Sequence, residues 1–367
     1  MGQRHGEPRL SFHYIHILLL FVPVSLLASH YQVGDAWVFG SSCLAVVPLA
    51  ILIGDATEQI AGYTGSKLGG LINATMGNIP ELFIGFFAVK AGLYGLVLAS
   101  MVGSIIGNIM LVLGLSILAG GMRHKFQSFD RNIARSNFSL LCFAAVSLVV
   151  PLAFQITNEG EANMEQGLTV LSFAMSVLLL LIYLLGLTFS FVTHRNLFVQ
   201  YDNNGNGHEP PEWSLTRSIT VLAITAALVA LESEMLVKTV EGTVKDIGLP
   251  EAFIGVIIVP LIGNVAEHAS AILMARKNKI NISLEIAVGS SMQIAMFVAP
   301  LLVLISFSMG HPLIYLYDSF EVVAVLTGIL IALFVFQDGE TYWLEGALLL
   351  FCYVTFGIAF YFVHLPV

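Results

Sequence analysis

The chain alternates between long apolar stretches and short polar connections. Repeated apolar runs of about 20 residues are long enough to cross a bilayer as helices. The pattern predicts eleven transmembrane helices. Their predicted limits are 13–29, 36–54, 67–89, 92–119, 136–155, 167–193, 216–237, 251–275, 282–309, 313–336 and 342–363. The first stretch has an alternative interpretation as a signal peptide, because Arg4 and Arg9 precede its apolar core.

Composition supports a membrane-embedded chain. Of its 367 residues, 57% are hydrophobic and only 11% are charged, and the mean hydropathy is +0.87. Soluble domains average roughly 25% charged residues. We therefore expect an all-α integral membrane protein whose solvent is the lipid bilayer. The net charge of −9 argues against a nucleic-acid partner. Cys43, Cys142 and Cys352 lie far apart and show no metal or redox spacing.

Basic residues predict the orientation of the chain. If the N-terminus is cytoplasmic and the eleven helices alternate, all but three of the 15 basic residues fall on the cytoplasmic side. The exceptions are Lys90, Lys238 and Lys245. This arrangement places the C-terminus outside. The short N-terminal region has no long extension, and on that basis we expect a prokaryotic plasma membrane. The sequence leaves the oligomeric state open.

Two segments repeat at a fixed offset. GNIPE at 77–81 and GNVAE at 263–267 lie 186 positions apart. The same offset pairs Asp55 with Glu241, Thr57 with Thr243, Gly62 with Gly248, Gly69 with Gly255, Gly103 with Gly289 and Ser104 with Ser290. Five helices per copy is an odd number, so the copies enter the membrane from opposite sides, as in many secondary transporters. The predicted units are an N-terminal helix at 1–30, a first repeat at 31–198, a cytoplasmic linker at 199–214 and a second repeat at 215–367.

The repeat places Glu81 and Glu267 at similar middle depth. An unpaired charge there costs at least about 2.5–3.5 kcal/mol, so each carboxylate must be neutralised by a proton or a cation. Asn78 precedes Glu81 by three residues, a spacing that puts both on one helix face, and Asn264 precedes Glu267 in the same way. A single buried Glu has a simpler interpretation as a partner for a neighbouring helix. A symmetric pair favours an ion site.

Local helix breakers strengthen this hypothesis. Gly77 and Gly263 weaken the helix just before each Asn, and Pro80 removes a backbone donor. Unwinding would free carbonyl oxygens as ligands. Two Glu, two Asn and carbonyls make an all-oxygen site, which suits a hard cation such as Ca²⁺ with its 6–8 ligands. His268 is open to three interpretations: a satisfied polar group, a ligand, or a modulator of proton affinity.

Polar residues near the predicted membrane surface have two interpretations each. Asp55 and Glu58 lie near the cytoplasmic end of the second predicted helix, where they form either a solvated helix end or a vestibule that attracts cations. The loop at 200–213 opens with the spacing of a calcium-binding EF-hand but has Trp213 where the bidentate Glu belongs. We interpret it as a flexible cytoplasmic turn.

Two longer stretches carry a family resemblance. GNIPELFIGFFAVKAG at 77–92 and GNVAEHASAILMARKNKINISLEIAVGSSMQIAMFVAP at 263–300 resemble the two signature repeats of the calcium/proton exchangers, within the calcium:cation antiporter superfamily. NATMGN at 73–78 and GSIIGNIMLVLG at 103–114 add to the match. The resemblance implies an eleven-helix antiporter that moves Ca²⁺ against protons, with both ions as substrates and no cofactor.

The resemblance also implies roles for individual residues. Glu81 and Glu267 would carry the cation and the protons, with Asn78 and Asn264 as flanking ligands. Gln293 would line the path beside Ser290, and Ser104 is the counterpart of Ser290 in the first repeat. Glu234 resembles an acidic position that the family carries on the seventh helix.

One departure from the family pattern keeps alternatives open. Family members usually carry a small residue at the position of Pro80, and Pro before this Glu resembles the sodium/calcium branch. A sodium- or potassium-coupled calcium exchanger is therefore the first alternative, and a cation channel is the second. A membrane-embedded hydrolase is disfavoured, because the sequence has no HExxH and no GxSxG motif.

Overall fold

The computed structural model describes residues 17–193 and 211–362, and these are almost entirely helical. The helices are α1 Phe21–His30, α2 Asp35–Met76, α3 Ile79–Ala91, α4 Tyr94–Ile106, α5 Leu113–Gly121, α6 Arg131–Thr157, α7 Met164–Thr188, α8 Leu215–Ile247, α9 Glu251–Phe253, α10 Val259–Gly263, α11 Val265–Arg276, α12 Ile280–Gln293, α13 Ala299–Ser308, α14 Ser319–Val335 and α15 Trp343–Phe362. Wider π-helical turns occupy Gly107–Val112, Phe189–Thr193, Ile254–Ile258 and Ile294–Val298. The start of the first predicted helix and most of the predicted linker with its EF-hand-like loop lie outside the described residues.

The chain is a helical membrane protein. Among the described residues, seven helical stretches are long and apolar enough to cross a membrane. An eighth is formed if Glu251–Gly263 and Val265–Arg276, bent by 62°, count as one broken span. Two shorter apolar helices, Ile17–His30 and Ser319–Val335, accompany them. The predicted count of eleven remains a prediction.

The second helix differs from the sequence prediction. No loop separates the predicted stretches 36–54 and 67–89, because α2 runs without interruption from Asp35 to Met76. Its 42 residues span roughly 63 Å, about twice the hydrocarbon thickness. The predicted helix end after residue 54 is absent, so Asp55 and Glu58 lie on a continuous helix. Charged residues there suggested a boundary, but charge alone does not end a helix.

The tenth predicted helix also begins later than its apolar pattern indicated. Residues 311–318 are extended, and α14 begins only at Ser319. Asp318 is its N-cap residue and forms a capping box with Glu321. Burial alternates along this segment, with Leu313, Tyr315 and Tyr317 inside. Buried serine hydroxyls accept hydrogen bonds from two of its backbone N–H groups. The aromatic alternation is typical of extended chain rather than of helix.

Contacts between loops agree with the predicted sidedness. Strand β1 (Gln127–Ser128) pairs antiparallel with β2 (Glu340–Thr341), and the Gln127 amide donates to the carbonyl of Ala275 at 2.8 Å. The sequence places all three loops on one side. At the opposite end, the Tyr94 hydroxyl donates to the carbonyl of His311 at 3.3 Å. Which end faces the cytoplasm remains a prediction.

The helix from α4 to α5 forms the centre of the molecule. In its most apolar stretch, 94% of the residues are buried inside the protein. The corresponding share is 17% for α7 and 22% for α15, so those two helices largely face lipid. Small residues allow close packing at the centre, as in other membrane helices. A Cβ at Gly103 would collide with the backbone of Val256, and one at Gly255 would lie 2.7 Å from the Cβ of Ala99. The central helix therefore packs directly against the segment that leads into α10 and α11.

Candidate functional site

Two helix breaks position the two central carboxylates. Helix α2 ends at Met76, α3 begins at Ile79, and Glu81 lies in the first turn of α3. In the second half α10 ends at Gly263, α11 begins at Val265, and Glu267 lies in its first turn. Both acidic groups therefore sit at helix N-termini, where unpaired N–H groups and the helix dipole favour negative charge.

The break changes the predicted local geometry. Asn78 and Asn264 are the N-cap residues of α3 and α11, so they stand at the break and not on a regular helix face with the glutamates. Their backbone carbonyls are occupied, since they accept from Leu82 and His268 respectively. Pro80 lies in the first turn, where its missing N–H removes no intrahelical hydrogen bond. The Asn side chains are therefore the groups that can face an ion, because the backbone carbonyls of both residues already accept hydrogen bonds.

The two carboxylates come together although they are far apart in sequence. A Cβ added to Gly263 would lie 2.6 Å from Glu81 Oε1, so the Glu81 carboxyl packs directly on the backbone of the second break. Gly263 precedes Glu267 by four residues, and the charge of Glu267 acts on Glu81. Glu81 is 6% exposed. Glycine at 263 is required here because any side chain would displace the carboxyl.

A network of buried hydrogen bonds surrounds the pair and joins the two sequence halves. In each bond an Asn amide donates to a side chain from the other half of the chain. The bonds are Asn78 Nδ2 to Gln293 Oε1 (2.6 Å), Asn264 Nδ2 to Ser104 Oγ (3.1 Å) and Asn108 Nδ2 to Ser290 Oγ (2.9 Å). Ser290 also faces the Glu267 carboxyl. The structure therefore brings together most of the site residues that the sequence predicts.

Several oxygen atoms in this network have no hydrogen-bond partner within the described residues. They are both carboxyl oxygens of Glu81, Oε2 of Glu267 and the amide oxygens of Asn108 and Asn264. Buried polar atoms are normally paired, so a group of acceptors without protein partners can receive a cation, protons or water. The described residues hold no cluster of three or more His, Cys, Asp or Glu. The donor set is thus carboxyl, amide and hydroxyl oxygen, which suits a hard cation or protons.

His268 is buried beside this network. It is 8% exposed, and its Nε2 atom has no hydrogen-bond partner in the part of the chain that the structure describes. Adjacent residues on a helix point about 100° apart, so His268 and Glu267 do not share a face. The geometry therefore leaves its predicted role in proton affinity as a prediction.

The remaining predicted residues lie at different distances from the site. Gly54 packs against the first turn of α11, because its added Cβ would lie 3.9 Å from that of Ala266, and Asp55 is the next residue along α2. Glu58 is exposed one turn further along α2, and Gly77 is half-buried at the first break. Glu234 forms an ion pair with Lys238 at 2.8 Å, and its side chain is 32% exposed.

Two features of the site were not selected from the sequence. Asn108 belongs to the network. The Gly107–Asn108 pair in GSIIGN, which resembles the GN pairs before the two glutamates, was the signal that could have indicated it. The π-helical turns Gly107–Val112 and Ile294–Val298 begin at Gly107 and just after Gln293, at nearly the repeat offset. Such turns occur frequently at functional sites, but sequence periodicity does not reveal them.

The fold and the site together define a helical membrane protein with a buried, oxygen-lined polar centre. The family described as "Sodium/calcium exchanger protein" matches residues 35–192 and 217–362. The chain belongs to this sodium/calcium exchanger protein family.

Named relatives are similar over nearly the whole chain. A Ca(2+)/H(+) antiporter of Aphanothece halophytica is 41% identical, with 94% of this chain and 95% of the relative covered. The Ca(2+)/H(+) antiporter ChaA of Bacillus subtilis (strain 168) is 42% identical, with 93% and 96% covered. Among solved structures, native YfkE superposes with a TM-score of 0.82 at 39% identity, covering 95% of this chain and 100% of that one.

Proposed function

We propose that this protein is a secondary antiporter that exchanges Ca²⁺ for protons across a membrane. The observation that carries the proposal is the pair of buried Glu81 and half-buried Glu267, which act on each other across the two halves and have unpaired carboxyl oxygens within the described residues. The names of the two antiporter relatives, each above 40% identity along nearly the full chain, support the same chemistry. The bacterial relatives also support a prokaryotic plasma membrane.

Charge neutrality supplies the coupling. Two carboxylates with one Ca²⁺ are neutral, and two carboxylates with two protons are also neutral. The empty pair, doubly negative and buried, would be costly to carry through a closed state. The site therefore changes sides only when it is loaded with Ca²⁺ or with protons, and this restriction links the two movements.

The surrounding residues supply the remaining ligands. Asn78 and Asn264 hold side-chain oxygens beside the carboxylates, and their amides are oriented by donating to Gln293 and Ser104 respectively. Ser290 accepts from Asn108 and faces the Glu267 carboxyl. Hydroxyl and amide groups stay neutral in both loaded states, so they do not disturb the charge count. Asp55 and Glu58 on α2 form the approach to the site and raise the local concentration of cations.

Alternating access follows from the proposed architecture. Eleven helices, with five in each of two oppositely oriented repeats, give the site equivalent routes to both sides of the membrane. The two breaks, at Gly77–Asn78 and at Asn264, are the places where α2 and α10 end beside the ion. Rocking of one half against the other opens first one route and then the opposite one.

Transport into proteoliposomes tests the proposal. Purified protein is reconstituted, and Ca²⁺ uptake is measured under an imposed pH gradient, then under a sodium or potassium gradient, then with no counter-gradient. We expect uptake only with the pH gradient. Uptake driven by sodium or potassium would instead identify the alternative exchanger, and downhill uptake without a counter-ion would identify a channel.

Matched variants assign the site. Glu81→Gln and Glu267→Gln each remove one charge with little change of shape, and we expect either to abolish uptake. Glu285→Gln makes the same change at an exposed position on α12 and serves as the control. Retained exchange in either of the first two variants would refute the site assignment.

A further inference from the structure

Glu232 is a buried carboxyl group outside the candidate exchange site. Glu232 lies near the middle of α8, 1% exposed, between α8, α1 and α2. The repeat offset pairs it with Val46, so it has no acidic counterpart in the first half. Glu234, two residues further along, is half-buried and ion-paired with Lys238. The charge neutrality of the exchange site does not involve Glu232.

No cation neutralises Glu232 within the described residues. Cys43 on α2 is a titratable group that senses a negative charge on Glu232, and its thiol supplies no positive charge. From α1 the group that faces it is Ser25, and Ser42 of α2 lies beside the same carboxyl. Among the described residues of α3, which also packs on α8, no charged group acts on Glu232. An ionised Glu232 would therefore be a buried charge with only the hydroxyls of Ser25 and Ser42 beside it.

Ser25 has two acceptor atoms within hydrogen-bonding distance of its single hydroxyl proton. Ser25 Oγ lies 2.8 Å from the carbonyl oxygen of Val22 and 2.7 Å from Glu232 Oε1. A serine hydroxyl has one proton to donate, and a carbonyl oxygen can only accept. If Ser25 donates to Val22, the short contact with Oε1 needs a second proton. The carboxyl of Glu232 is the group that can carry it.

We propose that Glu232 is a further proton-binding site, held as a neutral carboxylic acid that donates to Ser25 and so fastens α1 to α8. In this series of hydrogen bonds, Glu232 donates to Ser25, and Ser25 donates to the carbonyl of Val22. Loss of the proton leaves two acceptors facing one serine proton and places a negative charge in the interface. Alkaline conditions therefore loosen α1 from α8, whereas Ca²⁺ has no direct effect on this group.

Infrared difference spectroscopy of the purified full chain tests the protonation state. The C=O stretch of a protonated carboxyl is separate from that of a carboxylate, and a detergent without ester groups keeps this region clear. We expect the spectrum of wild type minus Glu232→Gln at neutral pH to contain one protonated carboxyl band, unchanged by Ca²⁺. Glu234→Gln, the same change on the same helix, should lose no such band. Absence of a band in the Glu232→Gln difference would overturn the proposal.

Ser25→Ala tests the partner. Removing the hydroxyl leaves the acid without its acceptor, so we expect its C=O band to persist at a shifted frequency. An unshifted band would overturn the pairing with Ser25.

Thermal unfolding tests the consequence for α1. Between mildly acidic and mildly alkaline pH, the Tm of the wild type should fall more than that of Glu232→Gln, because the amide cannot ionise. Glu234→Gln should follow the wild type. An equal fall in wild type and Glu232→Gln would contradict a proton-dependent attachment of α1. None of these measurements depends on transport, so a failure here is distinct from a failure of the proposed exchange.

Discussion

Replacement of Gly263 by alanine separates stability from ion affinity at the candidate site. The added Cβ would lie 2.6 Å from Glu81 Oε1 and 3.2 Å from Glu81 Cδ. Ordinary contact begins at 3.4 Å, so the carboxyl must move by about 0.8 Å. Gly263 has no left-handed backbone that alanine would strain. The consequences therefore arise at Glu81 and not in the helix itself.

The expected magnitudes differ for folding and for binding. Overpacking costs about 1–3 kcal/mol where nothing can give way. Here the atoms in the way are at the end of the flexible Glu81 side chain. Rotation of that side chain should keep the loss in free energy of unfolding below about 1 kcal/mol. Ca²⁺ accepts oxygen ligands only within about 2.3–2.6 Å. The displacement of about 0.8 Å exceeds the width of this distance range, which is about 0.3 Å, and therefore removes Glu81 as a ligand. We expect the apparent KM for Ca²⁺ to rise at least about tenfold, which corresponds to roughly 1.4 kcal/mol.

The assay combines Ca²⁺ uptake in proteoliposomes under a pH gradient with thermal unfolding of the same preparation. Gly289→Ala is the matched control, since a Cβ at this helical glycine of α12 would meet no atom within 4 Å. Its KM should stay at the wild-type value. A wild-type KM in Gly263→Ala would refute the contact between the Glu81 carboxyl and the second break as a determinant of binding.

Three further changes test other parts of the structure. Asn264→Ala removes a hydrogen bond to Ser104 and an amide oxygen without a partner, so the KM for Ca²⁺ should rise about tenfold. An unchanged KM would exclude Asn264 from the site. Gln127→Ala leaves the Ala275 carbonyl without its donor and should lower the free energy of unfolding by about 1–3 kcal/mol in chemical denaturation; no loss would show that this link between loops is dispensable. Glu234→Gln breaks an ion pair with the exposed Lys238, a pair worth at most about 1 kcal/mol, so its Tm should stay close to wild type. A large fall in Tm would contradict the placement of this pair at the protein surface.

Much of the site was predictable because its residues break a strong pattern. A glutamate within an apolar run is costly, so Glu81 and Glu267 stand out from the hydropathy pattern alone. The repeat offset then predicts that the two lie at similar depth, and the structure places Glu81 against Gly263, four residues before Glu267. The glycine and asparagine before each glutamate also indicated the two helix breaks. Local chemistry and duplication were both visible in the sequence.

Other features depend on contacts that a single sequence does not contain. Continuous α2 through Asp55 and Glu58 was missed because charged residues in a membrane chain resemble a loop, although they are compatible with a helix. Asn108 and Glu232 acquire their importance from the partners Ser290 and Ser25, more than 180 positions away in sequence. Which helix faces meet is decided by tertiary packing, and hydropathy does not encode it.

Proton release on Ca²⁺ binding tests most directly the claim that protons and Ca²⁺ compete for the Glu81–Glu267 pair. Purified protein in weakly buffered solution is titrated with Ca²⁺ while a pH indicator records released protons, because a cation that displaces protons from its ligands must expel them. We predict proton release in the wild type, less in either single Gln variant, and none in the double variant. Ca²⁺ binding by the wild type without proton release, or undiminished release in the double variant, would contradict the account.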